Sequence, residues 1–269
     1  MPTDGTHLRD RVRIEYRQHI ALVTLDRADK YNGLDMAMMR ALDDAARVLR
    51  KRREVRAVVL HGAGPAFCAG LDFASVLARP GKVMAAFLPW WRKANLFQRL
   101  CLAWRDLDMP VIAVTHGYCF GGGLQLALGC DFRISAPDCQ FSIMEIQWGL
   151  IPDMGASVTL RELLPADQAL ELTLTGRKLD AGEALDKQLI TRIEDDPLEA
   201  ALDLAETIAA HSPDAVAAAK RLFKQTRVAS ERRALRRERW LQLKVLLGSN
   251  QREAMKARKE KRPAVFKDR

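Results

Sequence analysis

Two hydrophobic periods alternate along this chain. Residues 12–16 and Ile20–Leu25 read as short strands joined by a hairpin through 17–19. Residues 35–50 repeat Met36, Met39, Leu42, Ala46 and Leu49 at helical spacing, with Asp35 placed to cap them. Residues 57–60 form a buried strand running into Gly62 and Gly64, 71–77 a short helix, and 79–81 a break. A long helical stretch is expected from about 84 to 107, interrupted near Pro89. Then come a second buried strand (110–115), a helix (122–129) and a strand (131–135), and helices fill most of 157–247. A unit of strand, glycine turn and helix thus recurs at 55–64 and 110–129, the order of an α/β fold with helices packed on a sheet. No linker divides the first 200 or so residues, so the expected organisation is a core over 1–200 and an all-helical region over 201–269.

With 269 residues, 48% apolar and 29% charged, the chain can bury a sizeable core, which excludes disorder. The longest uncharged apolar run is about nine residues, 83–91, against roughly 18 for a membrane span. Residues 1–13 lack the apolar stretch of a secretory signal, so a cytoplasmic location is expected. Cys68, Cys101, Cys119, Cys130 and Cys139 form no Cys-x-x-Cys pair and leave an odd one over, and the five histidines are scattered. Reduced, mostly buried thiols are expected, with no metal site.

The net charge of +9 is concentrated. Residues 220–269 hold 18 Lys/Arg against 5 Asp/Glu, a net of +13, leaving −4 on the rest. Ala215, Ala219, Leu222 and Phe223, then Leu235, Trp240, Leu243 and Leu247, recur at helical spacing, so this tail is amphipathic helix. Three roles stay open for it: oligomer formation, contact with a phosphorylated small molecule, or nucleic-acid binding. No zinc finger, RNA-recognition signature or aromatic-basic interleaving supports the last.

Two turns carry candidate chemistry: Ala66-Phe67-Cys68-Ala69-Gly70-Leu71-Asp72 and Phe120-Gly121-Gly122-Gly123-Leu124-Gln125. Each follows a buried strand and opens a helix, where small residues let a ligand approach and the first amides are unpaired donors. Two such amides aimed at one point make an oxyanion hole. The rivals fail on detail. Gly122-Gly123 is followed by Leu124 and Gln125 rather than the Lys-Ser/Thr of a phosphate loop. No dinucleotide fingerprint follows the first strand, and no Gly-x-Ser-x-Gly elbow exists. Cys68 and Cys119 border the turns without an obvious base; glycines serving tight packing alone are the remaining alternative.

Four segments in order, HGAGPAFCAGLD (61–72), HGYCFGGGLQLALGCD (116–131), FSIMEIQWGLIPDMG (141–155) and LTGRKLDAGEAL (174–185), resemble the crotonase superfamily, the enoyl-CoA hydratase/isomerase family. The likeness covers about 12–225. It implies a crotonase-like spiral of ββα units with a C-terminal helical trimerisation region, a homotrimer or dimer of trimers, and an acyl-CoA thioester substrate. It implies an oxyanion hole from the amides of Leu71 and Gly122. Ala69 would lie along the CoA moiety, and Lys30, in DRADKYN (26–32), would meet its phosphates; a tail lysine could add the 3′-phosphate. The implied substrate-binding set is Lys30, Ala69, Gly70, Leu71, Asp72, Gly121, Gly122 and Gln125.

Acid/base residues decide the reaction. Hydratases of this family commonly carry two glutamates. The second corresponds to Glu145, but the first falls on Gln125, which cannot exchange a proton at ordinary pH. Asp153, eight residues after Glu145, resembles the spacing of the dienoyl-CoA isomerase branch, although that branch also has an acid where Gln125 stands. A turn or helix-cap role for Asp153 stays open. The expected catalytic set is therefore Glu145, Asp153 and the amides of Leu71 and Gly122, shifting a double bond through an enolate without metal or redox cofactor. Hydration with Gln125 orienting water is the alternative. Thioester hydrolysis, decarboxylation, binding without turnover and, from another class, RNA binding by the basic helices complete the list. Phe87, Leu88, Trp90, Trp91 and Phe97 line the acyl pocket or belong to the core.

Overall fold

The computed structural model describes residues 5–78, 80–87 and 93–269. Its strands are β1 (Thr6–Leu8), β2 (Val12–Arg17), β3 (Ile20–Leu25), β4 (Ala57–Gly62), β5 (Val111–Thr115), β6 (Tyr118–Phe120), β7 (Phe132–Ser135), β8 (Gln140–Ser142) and β9 (Arg192–Ile193). Its helices are α1 (Met36–Leu49), α2 (Phe73–Leu77), α3 (Pro80–Phe87), α4 (Leu96–Arg105), α5 (Gly122–Leu128) and α6 (Ala156–Leu163). After these come α7 (Ala166–Thr175), α8 (Ala181–Asp186), α9 (Pro197–Ala209), α10 (Pro213–Thr226), α11 (Glu231–Leu246) and α12 (Ser249–Glu260).

Among the described residues one sheet runs in the order β1-β2-β3-β4-β5-β7-β9, and β6 and β8 pair as a second, parallel sheet. The expected hairpin is present: β2 and β3 are antiparallel with Arg17 opposite Ile20. From β3 onward neighbours are parallel, with Val23 opposite Leu60 and Leu60 opposite Ala113. A parallel sheet is covered on both faces, so β3 reads as a continuous apolar run. Ala21, Val23 and Leu25 share a core with Met39, Leu42 and Leu49 of α1 and Leu100 and Trp104 of α4. Ile20 and Leu22 face the other way, with Val59, Ile112 and Ile134, against Ala201 and Ala205 of α9. Asp35 caps α1 as expected, accepting from the Met38 amide at 2.7 Å.

Several elements depart from the sequence reading. The helical stretch expected over about 84–107, with an interruption near Pro89, is two helices, and residues 88–92 lie outside the described residues. Asn95 starts α4 anew through a reciprocal capping box with Gln98, its side chain accepting from the Gln98 amide at 2.9 Å. Of the break expected at 79–81, residue 79 lies outside the described residues and 80–81 instead open α3, where Pro80 occupies a first-turn position that needs no N–H. The short helix expected from 71 begins at Phe73, because Asp72 caps it. β1, β6, β8 and β9, two or three residues each, are too short to show a period. The division expected at 200/201 falls inside α9, which belongs to the sheet's second face.

The C-terminal helices meet the body at one end of the sheet. Lys220 of α10, its side chain 7% exposed, ion-pairs with Asp131 at 2.6 Å and donates to the Met109 carbonyl at 2.9 Å. Arg56 donates to the Ala209 and Phe266 carbonyls. Arg56, Met109 and Asp131 precede β4, β5 and β7, so this is the N-terminal end of the parallel strands. Both glycine turns leave from the C-terminal end. Among the described residues no helix is long and apolar enough to cross a membrane.

Candidate active site

After β4 the chain must turn back sharply, and Asn32 holds it there. Fully buried, Asn32 donates to the Ala63 and Ala66 carbonyls at 2.9 and 2.8 Å and accepts from the Arg27 amide at 2.9 Å. The Ala69 amide donates to the Tyr31 carbonyl. Leu71 then forms an isolated parallel bridge with Leu34: the Leu34 amide donates to Gly70 and the Asp72 amide to Leu34. In that pattern the amide of Leu71 itself points away from Leu34, and it has no partner among the described residues. It is thus an extended-chain donor two residues ahead of α2, where the sequence suggested a helix-start amide. The Asp72 carboxylate caps Ser75 and pairs with Arg27 at 2.8 Å, so it braces the turn. Burial opposes its ionisation, but the Ser75 amide and Arg27 outweigh that and hold its pKa below the usual carboxylate value.

The second turn is laid directly against the first. The Cys68 amide donates to Tyr118 and the Phe120 amide to Cys68, at 2.9 and 3.0 Å. A β-carbon at Gly70 would stand 2.9 Å from the Phe120 carbonyl and 3.7 Å from the Gly122 nitrogen. At Gly123 it would meet the Cys68 carbonyl at 2.4 Å. Bare backbone is therefore what brings the two turns together. Gly122 opens α5, and its amide, like that of Leu71, is unpartnered among the described residues. The Gly122 amide thus lies beside Gly70, the residue before Leu71. Beside them a cavity of about 580 Å³ is lined by Lys30, Ala69, Gly70, Leu71 and Asp72. A second cavity, about 400 Å³ among Phe132, Ile208, Val216 and Phe223, lies at the opposite strand ends and holds none of the expected site residues.

The small sheet delivers the acid. β8 runs beside β6 with Ser142 opposite Phe120, and the Gly121 amide donates to the Ser142 carbonyl at 2.9 Å. Three residues on, Glu145 opens a 3-10 turn, Glu145–Trp148. The fourth motif supports it: the Gly176 carbonyl accepts from Ser142 and Gln147, and Leu179 bridges Phe141. Glu145 Oε1 accepts from Gln125 Nε2 at 2.7 Å, while Oε2 is buried without a partner. Burial raises the Glu145 pKa above its usual value and the Asp153 charge adds to this; its own amide and Gln125 oppose.

Asp153 precedes α6, but the cap position is Gly155 and no side chain caps it, so the cap role considered for Asp153 is not realised. Burial raises its pKa too. Gln125, 2% exposed, uses its carbonyl oxygen to accept from the Met154 and Ala156 amides at 2.8 and 3.2 Å. All five cysteines are free and buried; burial pushes Cys68 up to about 12 and Cys119 well above its usual value, leaving neither a thiolate nucleophile. Among the described residues no three His, Cys, Asp or Glu side chains could hold a metal.

Sequence reasoning missed Asn32 and Met154. Asn32 and Tyr31 both sit in left-handed backbone, with φ of 55° and 48°; the run Tyr31-Asn32-Gly33 was the available signal. Met154 packs so tightly on Gly122 that a β-carbon there would lie 2.7 Å from its sulfur. Of the aromatic stretch, Phe97 is core and touches Phe87 at 4.9 Å between ring centres; Leu88, Trp90 and Trp91 lie outside the described residues.

Residues 15–269 match the family described as Enoyl-CoA hydratase/isomerase. An enoyl-CoA hydratase of Mycobacterium tuberculosis is 33% identical over 258 residues, 95% of this chain and 96% of that one. A mitochondrial Δ(3,5)-Δ(2,4)-dienoyl-CoA isomerase of Mus musculus is 36% identical over 214 residues, 76% of this chain and 65% of that one. The crystal structure of an enoyl-CoA hydratase from Bacillus anthracis superposes with a TM-score of 0.87 at 29% identity, covering 96% of this chain and 99% of that one. With its mixed α/β fold and a family match that spans nearly the whole chain, the chain belongs to the enoyl-CoA hydratase/isomerase family.

Proposed function

We propose that this enzyme shifts a carbon–carbon double bond in an enoyl- or dienoyl-CoA. The observation that carries the reading is that Glu145 keeps one buried, unpartnered carboxylate oxygen while its neighbour at position 125 is an amide. One proton carrier suits a transfer that takes a proton from one carbon and returns it to another; water addition shares its proton work between two acids.

The thioester carbonyl oxygen accepts from the Leu71 and Gly122 amides, which lowers the cost of an enolate. Glu145 Oε2 removes a proton from the carbon next to the carbonyl of a 3-enoyl-CoA and delivers it to the fourth carbon, as the double bond moves to the 2-position. With a 3,5-dienoyl chain Asp153 serves the distal carbon. The reaction is a proton transfer and asks for no metal or redox group. Lys30 and Ala69, on the shared cavity, take the CoA moiety.

A homotrimer, or a dimer of trimers, fits the apolar side chains that α10 and α11 leave exposed, Phe223 at 71% and Trp240 at 52% among them. Because the tail sits at the strand ends away from the site, a tail lysine that meets the CoA 3′-phosphate comes from another subunit. Unpaired thiols accord with a cytoplasmic location.

Hydration of a 2-enoyl-CoA is the second reading, favoured by full-length similarity to a protein named as a hydratase. The deciding experiment offers purified protein a 3-enoyl-, a 3,5-dienoyl- and a 2-enoyl-CoA and reads products by mass. Conversion without mass change, lost in Glu145→Gln, supports isomerisation; addition of water to the 2-enoyl substrate overturns it.

A further inference from the structure

Both polar atoms of the Gln125 side chain are committed. Two backbone donors, the Met154 and Ala156 amides, fix which end of its amide is oxygen, so the nitrogen has to face Glu145. A glutamate here would satisfy the same two donors. It would also set an oxygen where Nε2 now lies 2.7 Å from Glu145 Oε1, a spacing two ionised carboxylates do not share without a proton between them. The Met154 amide directly follows Asp153, so one side chain grips Glu145 and the turn that carries Asp153.

We propose that Gln125 is the positioning residue of this site: by engaging Oε1 of Glu145 and the 153–156 turn with a single amide, it dictates that Oε2 is the oxygen that exchanges a proton with substrate. The proposal rests on Glu145 being the base of the reaction proposed above. Burial raises the Glu145 pKa, the Asp153 charge adds to that rise and Gln125 opposes it; the charges of both acids also raise the Cys101 thiol.

The test is a pH titration of Glu145 by carbon NMR, on full-length protein labelled at the glutamate side-chain carboxyl. The signal is assigned by its loss in Glu145→Gln and followed in native protein, Gln125→Glu and Gln125→Met, alongside Tm and turnover of a 3-enoyl-CoA. Gln125→Glu keeps an acceptor for both backbone amides, so Tm should stay within a few degrees. The Glu145 midpoint should rise by about one unit or more, and kcat below that midpoint should fall about tenfold with KM little changed. A native midpoint and native kcat in Gln125→Glu would reduce Gln125 to a backbone clamp and overturn the proposal.

If Gln125→Glu does not fold, Gln125→Met reads the same quantity. Its midpoint must rise because the N–H that favours the carboxylate is gone, and an unchanged midpoint overturns the idea. If native protein converts no 3-enoyl-CoA, the isomerase reading fails by itself, and the titration still decides for or against positioning.

Discussion

Gly121 and Glu145 are in contact: a β-carbon on the glycine would stand 3.2 Å from Glu145 Oε1 and 3.6 Å from its carboxyl carbon. The same glycine has φ +49°, in the region that other L-residues enter at a cost. Between the Glu145 carboxyl and the Gly122 amide there is therefore one residue that cannot grow a side chain freely.

Gly121→Ala tests that closeness. The substitution should cost about 1–2 kcal/mol from backbone strain. It should lower kcat by about tenfold or more as Glu145 is pushed from its place against Gly121. Turnover and thermal melts on the same preparation separate the two effects. A variant with native kcat would show that the contact does not set the acid's position.

Glu145→Gln should leave the fold intact and lower mass-neutral turnover by about 100- to 10,000-fold, read by chromatography and mass. Native turnover should require the ionised carboxylate. Burial first, and Asp153 second, raise its pKa, so the rate should fall as pH drops through a midpoint above the usual glutamate value of 4.5.

The same shift has a stability sign. The folded chain holds the Glu145 proton more tightly than the unfolded chain does. That contribution is fully present below the unfolded pKa and lost as pH rises through the folded one. Glu145→Gln should therefore melt at or above the native temperature at pH 8, and the difference should vanish near pH 4. Melting curves across that range check it; a gap that widens toward low pH would contradict the sign.

Much of this was legible beforehand, for reasons that differ by element. The buried strands and α1 announce themselves because Val, Ile and Leu must face a core on both sides of a parallel sheet. The turns were legible through Gly70 and Gly121–Gly123, whose contacts forbid a β-carbon. Pro89 announced a break between α3 and α4, but not where the second helix restarts, which a polar pair, Asn95 and Gln98, decides. Asn32 escaped notice because a lone asparagine in a turn looks the same whether it is exposed or holds three hydrogen bonds. Gln125 was read as a missing acid; only the geometry shows the two backbone amides that orient it.

Asn32→Ala should cost roughly 2–3 kcal/mol, because a buried carbonyl, a part-buried carbonyl and one amide lose their partner together. Activity should fall further than folding does, as the turn before Leu71 loosens. Chemical denaturation and turnover at a temperature where the variant remains folded distinguish the two losses.

Lys220→Met gives the contrasting result. Removing the ammonium leaves Asp131 and the Met109 carbonyl without it and should cost about 3 kcal/mol. Turnover per folded molecule should stay within about twofold if the subunits still assemble. Size-exclusion chromatography with the assay checks both.

The short parallel pairing of β6 with β8 has a consequence for how such a protein can change its chemistry. The amide of Leu71 follows a strand of the large sheet, while the Gly122 amide and Glu145 follow β6 and β8 of the small one, and backbone bonds between Cys68 and residues 118–120 join the two along a seam. On the proposed roles, the seam divides the oxyanion pair itself, whereas the proton route hangs from the small sheet alone. Substitutions beyond β8 would then redirect the reaction without touching the strand and turn that carry Leu71.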